Sequence, residues 1–159
     1  MNMSFKITNI ETYKAIALEA YEEMINLDSS SKTPKADGSD GFIIKYDPEH
    51  KSFKKSMIVV VFTGMWLEAL LHLKIVKIHG ESEFKKVDRK YSYEEKLKMI
   101  GVSSTDLLNK VKRLRETRKE LVHEKAFLDN GEIKKAQQEA VLANEVMNEI
   151  IVQISQPQG

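Results

Sequence analysis

Met57 to Leu73 reads MIVVVFTGMWLEALLHL, and how this run is read decides the fold. Gly64, Glu68 and His72 interrupt it. It falls short of the ~20 clean apolar residues of a bilayer span, so it is expected to be a buried helix, with no membrane partner. Val59, Val60 and Val61 alone would suit a strand, but the length of the run and its lack of turn residues favour a helix. Upstream, Asp47-Pro48-Glu49 has the chemistry of a helix start, with aspartate as N-cap and proline in the first turn. Downstream, Gly80 is the expected stop. A helix so bounded spans ~45 Å. It is apolar nearly all round from Met57 to Val76, which makes it the central helix of an all-α bundle. Gly64 would let a neighbouring helix approach closely.

The other elements follow from the same spacing rules. Thr8-Asn9-Ile10-Glu11 is a capping box opening the first helix, with Ile10, Tyr13, Ile16, Ala20, Met24 and Leu27 on one face. Residues 29–41 are rich in Ser, Lys, Gly, Asp and Pro and read as a flexible loop; 41–46 reads as a short extended segment. Glu81 to Ser92 is polar and reads as irregular. Ser92-Tyr93-Glu94-Glu95 is a second capping box, and its short helix ends at Gly101. Ser103 or Ser104 caps the next helix, whose apolar stripe is Leu107, Leu108, Val111, Leu114, Leu121 and Val122. Asp129-Asn130-Gly131 is a turn. The last helix starts near Glu132 and runs to about Ser155, with Ile133, Ala136, Ala140, Met147, Ile150, Ile151 and Ile154 inward. Residues 156–159 are expected to fray. The expected architecture is an up-and-down bundle of four main helices and one short one, a single helical domain over 1–159.

Composition narrows the function classes. The chain has 159 residues, enough for one domain with a real core. There are no cysteines, which excludes disulfides, thiolate metal sites and a cysteine nucleophile; a reducing cytoplasm is the expected location. Met1 to Ile10 has no apolar signal-peptide core. The net charge of +1, from 25 basic and 24 acidic residues, gives no global field for nucleic acid. His50, His72, His79 and His123 show neither His-x3-His nor His-Glu-x-x-His spacing. There is no phosphate loop, no Gly-x-Gly-x-x-Gly and no Gly-x-Ser-x-Gly elbow. No metal or cofactor is expected. Trp66 and Met65 are expected to be core.

Arg118-Lys119-Glu120-Leu121-Val122-His123 departs from this ordinary picture. At about 100° per residue, Arg118 falls near the middle of its helix's apolar stripe. A guanidinium cannot be neutralised, so it needs a carboxylate partner or an anion-accepting cleft. Glu68, inside the apolar central helix, is the obvious partner; were the pair buried, losing Glu68 would cost a few kcal/mol. The segment from Lys110 to Lys125 has seven cations against three carboxylates, a local excess of four. Lys112, Arg113 and Arg115 belong to this set and are candidates for contacting nucleic-acid phosphates; a solvated face is the plainer reading. Tyr91 and Tyr93, among Lys85, Lys86, Arg89 and Lys90, read as aromatics packing down on the bundle, with stacking on bases as the alternative.

A helical bundle whose late helix ends in Arg-x4-His, followed by a turn and one last long helix, resembles the HEPN superfamily of helical domains. Arg118 and His123 match its Arg-x4-6-His motif, and the resemblance covers roughly residues 47–154. Lys119 departs from the pattern, since active members often carry Asn or Asp after the arginine. The resemblance implies a metal-independent RNase acting as a homodimer, with two motifs facing across a cleft. It also allows an inactive member serving as a binding or toxin–antitoxin partner. Carried over, His123 would act on the 2′-hydroxyl or the leaving oxygen, and Arg118 would stabilise charge building on the phosphate.

That chemistry suits the residue types. A 2′-hydroxyl attacking its neighbouring phosphate needs a base near neutral pH and a cation, and no metal. Arginine's planar fork fits phosphate oxygens in pairs. Glu120, one turn before His123, would favour its protonated form. Five residues on a helix separate two side chains by ~140°, so either the helix ends near His123 or a second chain completes the site. RNA or another phosphate-bearing ligand is the expected partner. The alternatives are an antitoxin-type protein partner without catalysis and a nucleotide-binding regulatory domain.

Overall fold

The computed structural model describes residues 8–30, 32–44, 49–122 and 133–155. Among these, six helices and one small hairpin occur in the order α1 (Asn9–Ser30), β1 (Lys32–Pro34), β2 (Phe42–Ile44), α2 (Lys51–His79), α3 (Glu81–Val87), α4 (Tyr93–Met99), α5 (Thr105–Val122) and α6 (Ile133–Ser155). The fold is an all-α bundle. The apolar run lies inside α2, which packs against every other helix and most extensively against α1 and α6. α2 is long and apolar enough to cross a membrane by length and composition alone; here half of its most apolar window is buried within the fold. Its core residues Val59, Val60, Trp66, Leu67, Leu71 and Ile75 meet Met24 of α1, Leu107, Val111 and Leu114 of α5, and Ala143, Val146, Met147 and Ile150 of α6 in one hydrophobic cluster.

The starts and stops follow the local chemistry. Ser92 caps α4: its hydroxyl accepts from the Glu95 backbone N–H while the Glu95 carboxylate accepts from the Ser92 N–H, the reciprocal pair expected there. Those bonds hold the Glu95 carboxyl below its usual pKa. Ser104, not Ser103, accepts from the Leu107 N–H at the start of α5. Gly80 ends α2 at φ 90, its N–H bonded to the Val76 carbonyl. Gly101 stands at φ 93 after α4, as its position required.

Three local expectations change. α2 begins at Lys51, because His50 sits at φ 50 and a right-handed helix cannot run through it; Asp47 and Pro48 lie outside the described residues. The polar stretch after Gly80 is helical over α3. Phe84 and Val87, one turn apart, face inward, and acids in the first turn with lysines in the last complement the helix dipole. Residues 29–41 are not one open loop: α1 runs to Ser30, and β1 pairs with β2 antiparallel, Thr33 opposite Ile43. Asp37 closes the connecting turn by accepting from the Ser39 N–H and hydroxyl, with Gly38 at φ 74. The tail at 156–159 lies outside the described residues.

Candidate functional site

Arg118 and Glu68 meet, but at the surface of the core and not within it. The Arg118 side chain is 21% exposed and the Glu68 side chain 49%. Arg118 Nη1 donates to Glu68 Oε1 at 2.8 Å and to the Tyr93 hydroxyl at 2.6 Å. Nη2 reaches Glu68 Oε2 only at 3.5 Å, so the fork is incompletely filled. Tyr93 donates its own proton to Glu68 Oε1 at 2.5 Å. Burial first, and the Glu68 carboxylate second, push the Tyr93 phenol well above its ordinary pKa and keep it a donor.

Three helices build this cluster, and each has a sequence reason for its place. Glu68 comes from α2, Arg118 from α5, and Tyr93 is the first residue of α4, placed by the Ser92 cap. Gly64, one turn before Glu68, lets the arginine stem lie on the α2 backbone. A Cβ built on Gly64 would overlap Arg118 Cδ and come within 2.6 Å of Nε. Nε is buried there without a hydrogen-bond partner among the described residues. The stem is therefore held, and only the terminal nitrogens face outward.

They face a cleft of about 600 Å3, of a size that accepts a small ligand. Arg115, Lys119 and Lys96 line it with Arg118; Tyr91 and Phe84 give it aromatic surface. Lys96 is 7% exposed, its ammonium donating to the Asp88 carbonyl at 2.7 Å and lying 5.7 Å from the Phe84 ring centre. Arg115 is paired with Glu94 through two bonds of 3.1 Å, which raise its pKa further.

The basic character expected of α5 is largely spent on neighbouring helices. Lys110 bonds Glu149 and Asp106, and Arg113 forks onto Glu139, a carboxylate 6% exposed that also accepts from Thr117 at 3.0 Å. Arg113 thus faces α6 and does not line the cleft. Lys112 and Glu120 are exposed and do not line it either. Of the sequence candidates, the structure brings together Arg118, Glu68, Lys119 and Arg115. His123 lies outside the described residues; α5 is regular through Val122. Tyr93 is buried as expected, Tyr91 is 43% exposed, and Trp66 is core at 2%. Sequence reasoning missed Lys96, and missed Tyr93 as a partner of Arg118. Tyr93 carried a usable signal, its place directly after a capping serine.

Partial exposure changes the expected energetics. An ion pair this open is worth about 1 kcal/mol or less, and Arg118 retains the Tyr93 oxygen. Glu68→Ala should therefore lower the melting temperature by no more than about 4 °C in a thermal unfolding experiment. A loss of several kcal/mol would show that the pair behaves as a buried one. Among the described residues no group of three His, Asp or Glu side chains is arranged to hold a metal ion. His79 bonds the Met99 carbonyl at 2.9 Å, and His72 lies edge-on to Phe84. No family model, curated protein or solved structure matches this chain.

Proposed function

We propose that this chain is a HEPN-like, RNA-directed domain that acts as a homodimer and cleaves RNA without a metal. One observation carries this reading: the arginine of the Arg-x4-His segment stands at the wall of an open cleft, its stem seated on Gly64 and its fork turned outward. In the proposed reaction His123 takes the 2′-hydroxyl proton, the 2′-oxygen bonds to the adjacent phosphorus and the P–O5′ bond breaks, the departing 5′-oxygen taking a proton from water to leave a 5′-hydroxyl. Arg118 holds the charge that builds on the phosphate oxygens. Lys119 lines the cleft beside it and adds positive potential for a polyanion, while Arg115 lines it already paired with Glu94. Tyr91 offers an exposed ring for a base. Five residues on a regular helix would separate two side chains by ~140°, so the proposed site needs either a helix end near His123 or a second chain that completes it.

Incubation of the protein with single-stranded RNA in EDTA tests this reading. Fragments ending in 2′,3′-cyclic phosphate are expected, because internal attack by the 2′-oxygen leaves that end. A second reading, a binding domain without catalysis, is favoured by the pairing of Arg118 with Glu68. It is selected if the RNA stays intact while remaining bound.

A further inference from the structure

We infer that the Glu68 carboxylate is a built-in place-holder for a ligand's phosphate oxygens, and that phosphate enters by displacing it from Arg118 and Tyr93. The inference rests on the reading of Arg118 as the phosphate-binding cation and specifies how that site is occupied and released.

The geometry separates a fixed partner from a movable one. The arginine stem is pinned on Gly64, with Nε buried. Tyr93 is 8% exposed and is set by the cap of α4. Glu68 is the open member, half exposed on the flank of α2. Its Oε1 lies 2.8 Å from Arg118 Nη1 and 2.5 Å from the Tyr93 hydroxyl. Two donors therefore converge on one oxygen position from a rigid wall, which is the arrangement an oxyanion needs. Glu68 leaves Nη2 poorly used at 3.5 Å. A phosphate has more oxygens and a tetrahedral shape, so it can take the Oε1 position and satisfy Nη2 as well. Rotation of Glu68 into solvent costs little, because its side chain is already half exposed. Lys119 lines the same cleft and is exposed, so it is placed to meet the remaining oxygens.

The consequence is competition between an internal anion and an external one. Removing the charge of Glu68 while keeping its shape should tighten phosphate binding, whereas a purely structural Glu68 would leave it unchanged or weaken it. Inorganic phosphate and a short single-stranded RNA are titrated calorimetrically into the wild type, Glu68→Gln and Glu68→Gln with Tyr93→Phe. The expected result is phosphate affinity roughly fivefold or more higher in Glu68→Gln, with part of that gain lost on adding Tyr93→Phe. Should Glu68→Gln fold poorly, Glu68→Ala supplies the same comparison, since alanine suits this half-exposed helix position. A folded Glu68 variant that binds phosphate no more tightly than the wild type overturns the inference. Unchanged phosphate affinity alongside chelator-resistant RNA cleavage rejects the place-holder and leaves the proposed function standing. Tighter phosphate binding with no RNA cleavage keeps the place-holder and rejects the nuclease. A gain for phosphate but not for RNA supports the place-holder while assigning the site to free phosphate.

Discussion

Gly64→Ala is expected to lower the proposed chelator-resistant RNA cleavage by about 10²-fold while leaving the fold intact. In a helix interior this substitution ordinarily stabilises by up to ~1 kcal/mol. Here the new methyl group would occupy the space of Arg118 Cδ and crowd Nε. The stem must move aside by about a bond length, and the guanidinium loses its alignment with Glu68 and Tyr93. Displacements of ~1 Å at a reacting group cost rates of this order. Gly64 is itself buried, and the Arg118 side chain is what the added methyl group would meet, so the arginine stem is the part that must shift. Melting temperature and cleavage rate measured on the same preparation separate the two effects. An unchanged rate in Gly64→Ala would mean that the seat of Arg118 has no role.

Trp66→Ala is expected to destabilise the protein by about 3–5 kcal/mol, the largest single stability loss here. Trp66 is 2% exposed and lies on the helix that every other helix touches. Truncation removes a large apolar surface and leaves a cavity lined by side chains that are already close-packed. At this chain length the loss corresponds to a fall in melting temperature of roughly 10 °C or more. A shift of only a degree or two would indicate that α2 is not the centre of the core.

The features legible in the sequence are those fixed by local chemistry. The Ser92–Glu95 capping box, the stop at Gly80 and the apolar density of α2 each depend on a few adjacent residues. The pairing of Arg118 with Glu68 was also legible, because a cation on an apolar stripe needs an acid and the central helix offers one. Its degree of burial was not. Helical periodicity gives a direction but not how far a neighbouring helix extends, and Glu68 stands at the edge of the core with its side chain half exposed. α3 was missed because only Phe84 and Val87 mark its inward face, too few apolar positions to set a period, although its acidic start and basic end were visible. The cost of counting charge along one helix appears in Arg113, whose partner Glu139 is 26 residues away on α6 and absent from any local window. Tyr93 and Lys96 join the cleft only because α4 folds back against α2 and α5, a tertiary placement with no local signature.

In the proposed nuclease the Arg118 guanidinium is the cation that meets RNA phosphate, with His123 as its proton-transfer partner. The most direct test is the cleavage rate of single-stranded RNA in EDTA for wild type, Arg118→Ala and His123→Ala, each confirmed folded by thermal melting. The expected result is cleavage by the wild type despite the chelator and a loss of at least about 10²-fold in each variant. A folded Arg118→Ala protein that cleaves RNA at the wild-type rate would contradict it.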